Sequence, residues 1–102
     1  MSEAQYDVVI HRAAETELAN LTGELADDMH NLLKQLAFVE EPHSQPYVKD
    51  LSEWDGLFRV KVRKGRAICM LEKPELVVLA VGKRDTIYEK LEIAAQRKDS
   101  YG

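Results

Sequence analysis

Residues 57–63, LFRVKVR, alternate without a break: Phe58, Val60 and Val62 fall on one parity and Arg59, Lys61 and Arg63 on the other. A period of two describes a strand with one face buried and is incompatible with a helix. A second strand-like run, residues 66–72, follows a tight turn containing Lys64-Gly65. A two-residue turn pairs even positions with odd ones, and sliding it by one residue leaves that parity unchanged. Phe58, Val60 and Val62 therefore share a face with Ala67, Cys69 and Leu71, while Arg59, Lys61 and Arg63 share the other with Arg66, Ile68 and Met70. The hairpin is expected to be greasy on one side and cationic and exposed on the other.

The other segments must cover the greasy side. Residues 6–10, YDVVI, read as a short β-branched strand. From Arg12 the period becomes helical, with Ala13, Ala14, Glu17, Leu18 and Leu21 on one stripe. Thr22-Gly23 interrupts it, and Thr22 is placed to cap a second helix in which Leu25, Met29, Leu32, Leu33 and Leu36 form one face. A helical hairpin over 12–38 follows. Residues 39–56, punctuated by Pro42, Pro46 and Gly56, read as a long loop that Leu51 and Trp54 tack to the body. After Lys73-Pro74-Glu75 the continuous apolar run 76–81 reads as a central strand. Thr86-Ile87-Tyr88-Glu89 matches a capping box opening a last helix, and residues 96–102 read as a frayed polar tail. The expected fold is one α+β domain over 1–102, ordered β-α-α-β-β-β-α. Its mostly antiparallel four-stranded sheet carries a helical hairpin on its greasy face, followed by a C-terminal helix.

Charge is distributed unevenly. The chain is acidic overall, at −4, yet residues 59–84 hold eight Lys/Arg against two acids, whereas residues 1–58 hold three against twelve. A basic block inside an acidic chain points to a local anion-binding surface. The 45% apolar and 31% charged composition is that of a folded globular chain. No run approaches the roughly 20 apolar residues of a membrane span, and the opening MSEAQYD has neither a basic flank nor an apolar segment. A cytoplasmic, non-membrane location is the expectation. The lone Cys69 excludes an internal disulfide and a cysteine-based zinc cage and reads as a buried small hydrophobe.

Arg59, Lys61, Arg63 and Arg66 on one face, with Arg84 and Tyr88 bordering it, suit a nucleic-acid strand: cations meet phosphates and a ring stacks on a base. Such a surface can also cut RNA without a metal, provided a base takes the 2′-hydroxyl proton, cations hold the developing charge and an acid protonates the leaving oxygen. Clustered cations lower the pKa of a lysine or tyrosine among them, which helps both groups take part. His11, His30 and His43 lack metal-ligand spacing, and the chain has no phosphate-binding glycine loop, nucleophile elbow or dinucleotide fingerprint. No metal and no cofactor is expected.

The chain resembles the RelE/ParE toxin superfamily of toxin–antitoxin systems, in its RelE-like branch. The motifs are YDVVIHRAAETELANL, similar to a strand and an A-x-x-E-L-x-x-L helix; VKDLSEWDGLFRVKV, similar to the approach to an L-W/Y-R-I-R strand; GRAICMLE, where an arginine opens the next strand; and VVLAVGKRDTIY, close to V-L-x-V-G-H/K-R-x-x-x-Y. The resemblance implies a RelE-like fold and a toxin that cleaves translated mRNA in the ribosomal A site without a metal. Its expected partners are the ribosome, mRNA and a cognate antitoxin. It implies that Lys61 is a base or charge stabiliser, that Arg66 stabilises the transition state, that Arg84 is an acid or phosphate ligand and that Tyr88 stacks on or orients the nucleotide. Arg59 would contact RNA, with Arg63 and Lys83 as supporting phosphate contacts. Gly65 stands where the family often has an aromatic, which predicts a looser Arg66. The alternatives are a ParE-like inhibitor of DNA gyrase, which binds rather than cleaves, and a non-toxic relative that only binds an antitoxin.

Overall fold

The structure is a computed structural model describing residues 3–101; Met1, Ser2 and Gly102 lie outside the described residues, as do the expectations that reach them. Its strands are β1 (Asp7–Ile10), β2 (Val48–Asp50), β3 (Phe58–Val62), β4 (Gly65–Glu72) and β5 (Glu75–Lys83), and its helices are α1 (Arg12–Ala19), α2 (Gly23–Leu36) and α3 (Leu91–Ser100). The sheet order is β1-β5-β4-β3-β2; β1 runs parallel to β5 and every other pairing is antiparallel.

The hairpin has the expected parity. Phe58 faces Cys69, Val60 faces Ala67 and Val62 faces Gly65 across the ladder, while Arg59 faces Ile68 and Lys61 faces Arg66. Helices α1 and α2 cover the first set, packing Ala14, Leu18, Met29, Leu33 and Leu36 against Phe58, Val60, Ala67 and Cys69. Burial pushes the Cys69 thiol pKa up, in keeping with a small hydrophobe in this layer. Helix α1 begins where His11 Nδ1 accepts the Ala13 N–H at 3.1 Å. Thr22 does sit at the N-cap of α2, but its side chain makes no capping bond.

Four expectations need correction. The sheet has five strands, because β2 lies within the expected loop and pairs with β3; three residues between prolines and acids carry no period of their own. The second face is not simply cationic and open. Ile68, Met70, Val77 and Leu79 are buried there with Leu57, Ile87 and Ala94, beneath α3. The cause is β5, whose run 76–81 is apolar at every position and so requires cover on both faces. The capping box does not form: Thr86 Oγ1 donates to Lys83 O at 3.3 Å, and a 3-10 turn, Ile87–Lys90, precedes α3. Nor is the C-terminal segment frayed as expected, since α3 runs to Ser100. Leu51 and Trp54 do tack the 51–57 segment to the second core. Among the described residues no helix is long and apolar enough to cross a membrane.

One edge of β5 is finished by side chains. Strand β1 accompanies β5 only to the Ile10–Val78 pair, after which His11 N–H donates to Val78 O. Immediately beyond, the β4–β5 register shifts: Cys69 pairs with Val78 but Ile68 with Ala80, so Leu79 is an extra residue on β5. The exposed backbone groups are then taken up in sequence. Glu17 of α1 accepts the Val81 N–H at 3.0 Å, Arg97 of α3 donates to Leu79 O at 2.8 Å, and Lys90 donates to Val81 O at 2.9 Å. The same three side chains pair with one another: Arg97 meets both Glu17 oxygens at 2.9 and 3.2 Å, and Lys90 meets one at 3.2 Å. Burial raises the Glu17 pKa, but the Arg97 bonds, the Val81 N–H and Lys90 outweigh it, and the net shift is downward.

A carboxylate whose folded pKa is depressed adds stability above its unfolded pKa and loses it as pH falls through the folded value. The denaturation midpoint should therefore decline as pH drops below about 4.5. Glu17→Gln should be less stable at pH 7, by about 2 kcal/mol as expected for weakening partly buried hydrogen bonds to charged groups, and should show a flatter acid profile. Chemical denaturation between pH 3 and pH 7 checks both.

Candidate nucleic-acid interface

The open part of the second face lies where α3 does not reach, over β2, β3 and the first residues of β4. Arg66 is its centre. It is 5% exposed and donates from one guanidinium nitrogen to Arg63 O at 2.7 Å and to Gly65 O at 2.8 Å. The carbonyls of the β3–β4 turn thus anchor it, and the looser Arg66 expected from Gly65 is not found. Gly65 itself answers to the other face: a Cβ there would lie 3.2 Å from Val62 O and 3.3 Å from both Leu25 Cδ1 and Met29 Cε, so its bare backbone admits α2.

Arg59 of β3 reaches across the face and donates to Tyr88 Oη at 3.4 Å. Its Nε is buried without a protein partner. Tyr88 rides on the 3-10 turn after β5 and is 52% exposed. Arg84 is carried in from the end of β5, where its backbone N–H donates to Lys64 O at 2.7 Å, tying that end to the β3–β4 turn. Its guanidinium lies 3.6 Å from exposed Asp85, a surface pair that leaves the arginine available.

These groups sense one another. Burial first, then the charges of Arg59 and Arg84, lower the Arg66 pKa, with Tyr88 acting in the opposite direction. The Arg59 bond lowers the Tyr88 pKa against the opposing effect of desolvation, helped by the charges of Arg59, Lys49 and Arg66. The face therefore holds three arginines that repel each other and a phenol whose ionised form they favour. Such a field has one natural complement, an anion.

Lys61 is exposed and stands opposite Arg66 in the register, with no side-chain hydrogen bond or ion pair among the described residues. Two expected members lie elsewhere. Arg63 is a turn residue at φ 50°, and its guanidinium pairs with Asp28 at 3.1 Å and Glu24 at 3.8 Å on α2. The parity argument fails for it because the strand ends at Val62. Lys83 pairs with Gly65 across the ladder and so belongs to the helical-hairpin side, a consequence of the extra residue at Leu79. One member was missed: Lys49 lies beside Arg59 on β2 and contributes to the field at Tyr88. A single base among acids carried no signal without the strand that places it. Among the described residues no three His, Cys, Asp or Glu side chains gather as a metal would require.

Tyr88 should ionise before Tyr47 and Tyr101, since the Arg59 bond lowers it while burial raises Tyr47 and the Glu75 hydrogen bond raises Tyr101. In an ultraviolet titration a phenolate step below those of Tyr47 and Tyr101 should vanish in Tyr88→Phe. In Arg59→Met it should move to higher pH.

No protein-family model matches the sequence, and no curated protein matches it. Solved structures do match. The RelB–RelE antitoxin–toxin complex from Methanococcus jannaschii aligns over 79% of this chain and 95% of that chain, at 11% identity and a TM-score of 0.67. A doubly arginine-to-alanine mutant of the E. coli toxin RelE, in the free state, aligns over 94% of this chain and 98% of that chain, at 16% identity and a TM-score of 0.72. In topology and extent, this chain has the RelE-like toxin fold.

Proposed function

We propose that this chain is the toxin of a toxin–antitoxin pair and a metal-independent endoribonuclease that cuts translated mRNA in the ribosomal A site. The observation that carries the reading is the convergence of Arg59, Arg66, Arg84 and Tyr88 from four separate segments onto one electrostatically coupled face. The RelE-like fold supports the same reading, and the solved RelB–RelE complex supports an antitoxin as the partner.

In the proposed reaction an RNA 2′-oxygen attacks the adjacent phosphorus, and the bond from phosphorus to the 5′-oxygen breaks, leaving a 2′,3′-cyclic phosphate and a 5′-hydroxyl. Arg66, fixed by turn carbonyls, meets the phosphoryl oxygens as their charge grows, with no side-chain reorganisation at that moment. Lys61, across the ladder from Arg66, is the base or a second charge stabiliser. Arg84 supplies the proton to the leaving oxygen or binds the phosphate. Tyr88, oriented by Arg59, stacks on or aligns the nucleotide. Arg63 and Lys83 lie toward the helical hairpin, apart from the cluster to which this reaction is assigned.

Primer extension on a translated message should show wild-type cleavage reduced by about a hundredfold or more in Arg84→Ala, the scale of losing a positioned acid or charge stabiliser, and by about tenfold or more in Tyr88→Ala, which removes the stacking ring. Both side chains are exposed, so unchanged circular dichroism is expected. Full cleavage by the double variant would overturn the reading, as would inhibition of gyrase supercoiling without mRNA cleavage.

A further inference from the structure

A groove of about 200 Å³ borders the basic face, lined by Lys49, Asp50, Leu51, Ser52, Glu53, Trp54, Tyr88 and Leu91. Pockets for drug-sized ligands run to about 300–1,000 Å³, so this one has the scale of a single ring system. Its walls differ in kind from the surface beside it. Arg59, Arg66 and Arg84 attract phosphate, whereas the groove presents Trp54, Tyr88, the Ser52 hydroxyl and the carboxylates of Asp50 and Glu53, with Lys49, the cross-strand neighbour of Arg59, as its one cation. Carboxylates repel a phosphate but accept hydrogen bonds from a neutral base.

The groove is also held in shape. Leu51 N–H donates to Leu57 O at 3.0 Å, Trp54 N–H to Leu51 O at 2.9 Å and Leu57 N–H to Trp54 O at 3.0 Å, closing the 51–57 segment on itself. Lys98 of α3 donates to Asp55 O at 2.6 Å. Gly56 adopts φ +77°, a conformation that side-chain-bearing residues rarely take, and a Cβ there would sit 2.8 Å from Lys98 Nζ and displace the end of that lysine. Trp54 packs against the second core with one side and lines the groove with another part of its surface. Little ordering is left for a ligand to impose, which favours binding.

We infer that this groove is a nucleobase subsite for the nucleotide next to the phosphate held by the arginine cluster, and that it selects bases with an exocyclic amine over uracil. The inference rests on the reading of the basic face as an RNA surface. Tyr88 belongs to both regions: Arg59 binds its hydroxyl on one side, and its ring lines the groove on the other. A strand whose phosphate lies on Arg66 can therefore lay a flanking base past Tyr88 toward Trp54. Asp50 is already engaged by His43. Glu53 has no ion-pair partner among the described residues and is the carboxylate available to the base edge. Adenine, cytosine and guanine offer an amine to it; uracil offers two carbonyls flanking one N–H and repels it.

Trp54 is the only tryptophan, so its fluorescence reports the groove directly. The probes are short single-stranded oligodeoxyribonucleotides of equal length, which lack the 2′-hydroxyl and so cannot be cleaved, bearing cytosine, adenine, uracil or an abasic site at one central position. Cytosine and adenine probes should quench Trp54 saturably and bind about fivefold more tightly than the uracil probe, and the abasic probe should bind without quenching. Glu53→Gln, whose amide can serve either kind of edge, should bring the cytosine-to-uracil ratio close to one. It should leave the salt dependence, set by phosphate contacts, unchanged. Equal quenching by the abasic probe, or a base preference unmoved in Glu53→Gln, would overturn the subsite while leaving the basic face intact. Absence of salt-dependent binding by every probe would overturn both together.

Discussion

Strand β5 has a neighbour on both sides for only part of its length, and three side chains complete the rest. Where β1 stops, Glu17, Lys90 and Arg97 take the backbone groups of Leu79 and Val81 that a longer β1 would have bonded. An unpaired, partly buried peptide group costs free energy comparable to a lost hydrogen bond, so this edge could not simply be left open. The solution joins elements that never touch through the sheet: α1 on one face, α3 on the other, and the 3-10 turn between β5 and α3. It offers charge in place of a strand, and the ions compensate each other, which keeps their burial tolerable.

The candidate site depends on this edge. Lys90, bonded to Val81 O and Glu17, sits in the same 3-10 turn as Tyr88, two residues away. The end of β5 that this network fixes also delivers Arg84 to the β3–β4 turn. Arg66 receives its orientation separately, from the carbonyls of Arg63 and Gly65. Cations that repel one another are thus anchored independently, Arg66 by turn carbonyls, Arg59 by the Tyr88 hydroxyl and Arg84 beside Asp85. The repulsion is retained as a field, which an arriving polyanion would relieve.

Much of this was legible in the residues. Alternation over 57–63 and the short turn set the hairpin parity, and the parity separated Phe58, Val60, Ala67 and Cys69 from Arg59, Lys61 and Arg66. The leucine stripe of α2 announced a covering helix. Other placements were illegible for identifiable reasons. Arg63 continues the alternation in sequence but sits in the turn, where φ 50° sends it to α2. Lys83 changes face because of one extra residue at Leu79, which an unbroken apolar run conceals. Lys49 belongs to a strand too short to have a period. Glu17 looked like one polar member of a helical stripe, and its partners lie 64 to 80 residues away.

By itself the sequence determined what local period and turn chemistry can encode: which side chains on β3 and β4 share a face, where the helices run, and that the charge of this acidic chain reverses between residues 59 and 84. Tertiary structure alone decided which of those cations act together. Faces beyond the hairpin depend on a bulge, on where β1 ends and on which layer α3 covers, and each is settled by long-range pairing and burial. The stretch that carries Arg59, Arg66, Arg84 and Tyr88 could be read as a basic block. That it is a surface with a Trp54-lined groove beside it follows from packing, because a loop without a period is positioned only by what it packs against.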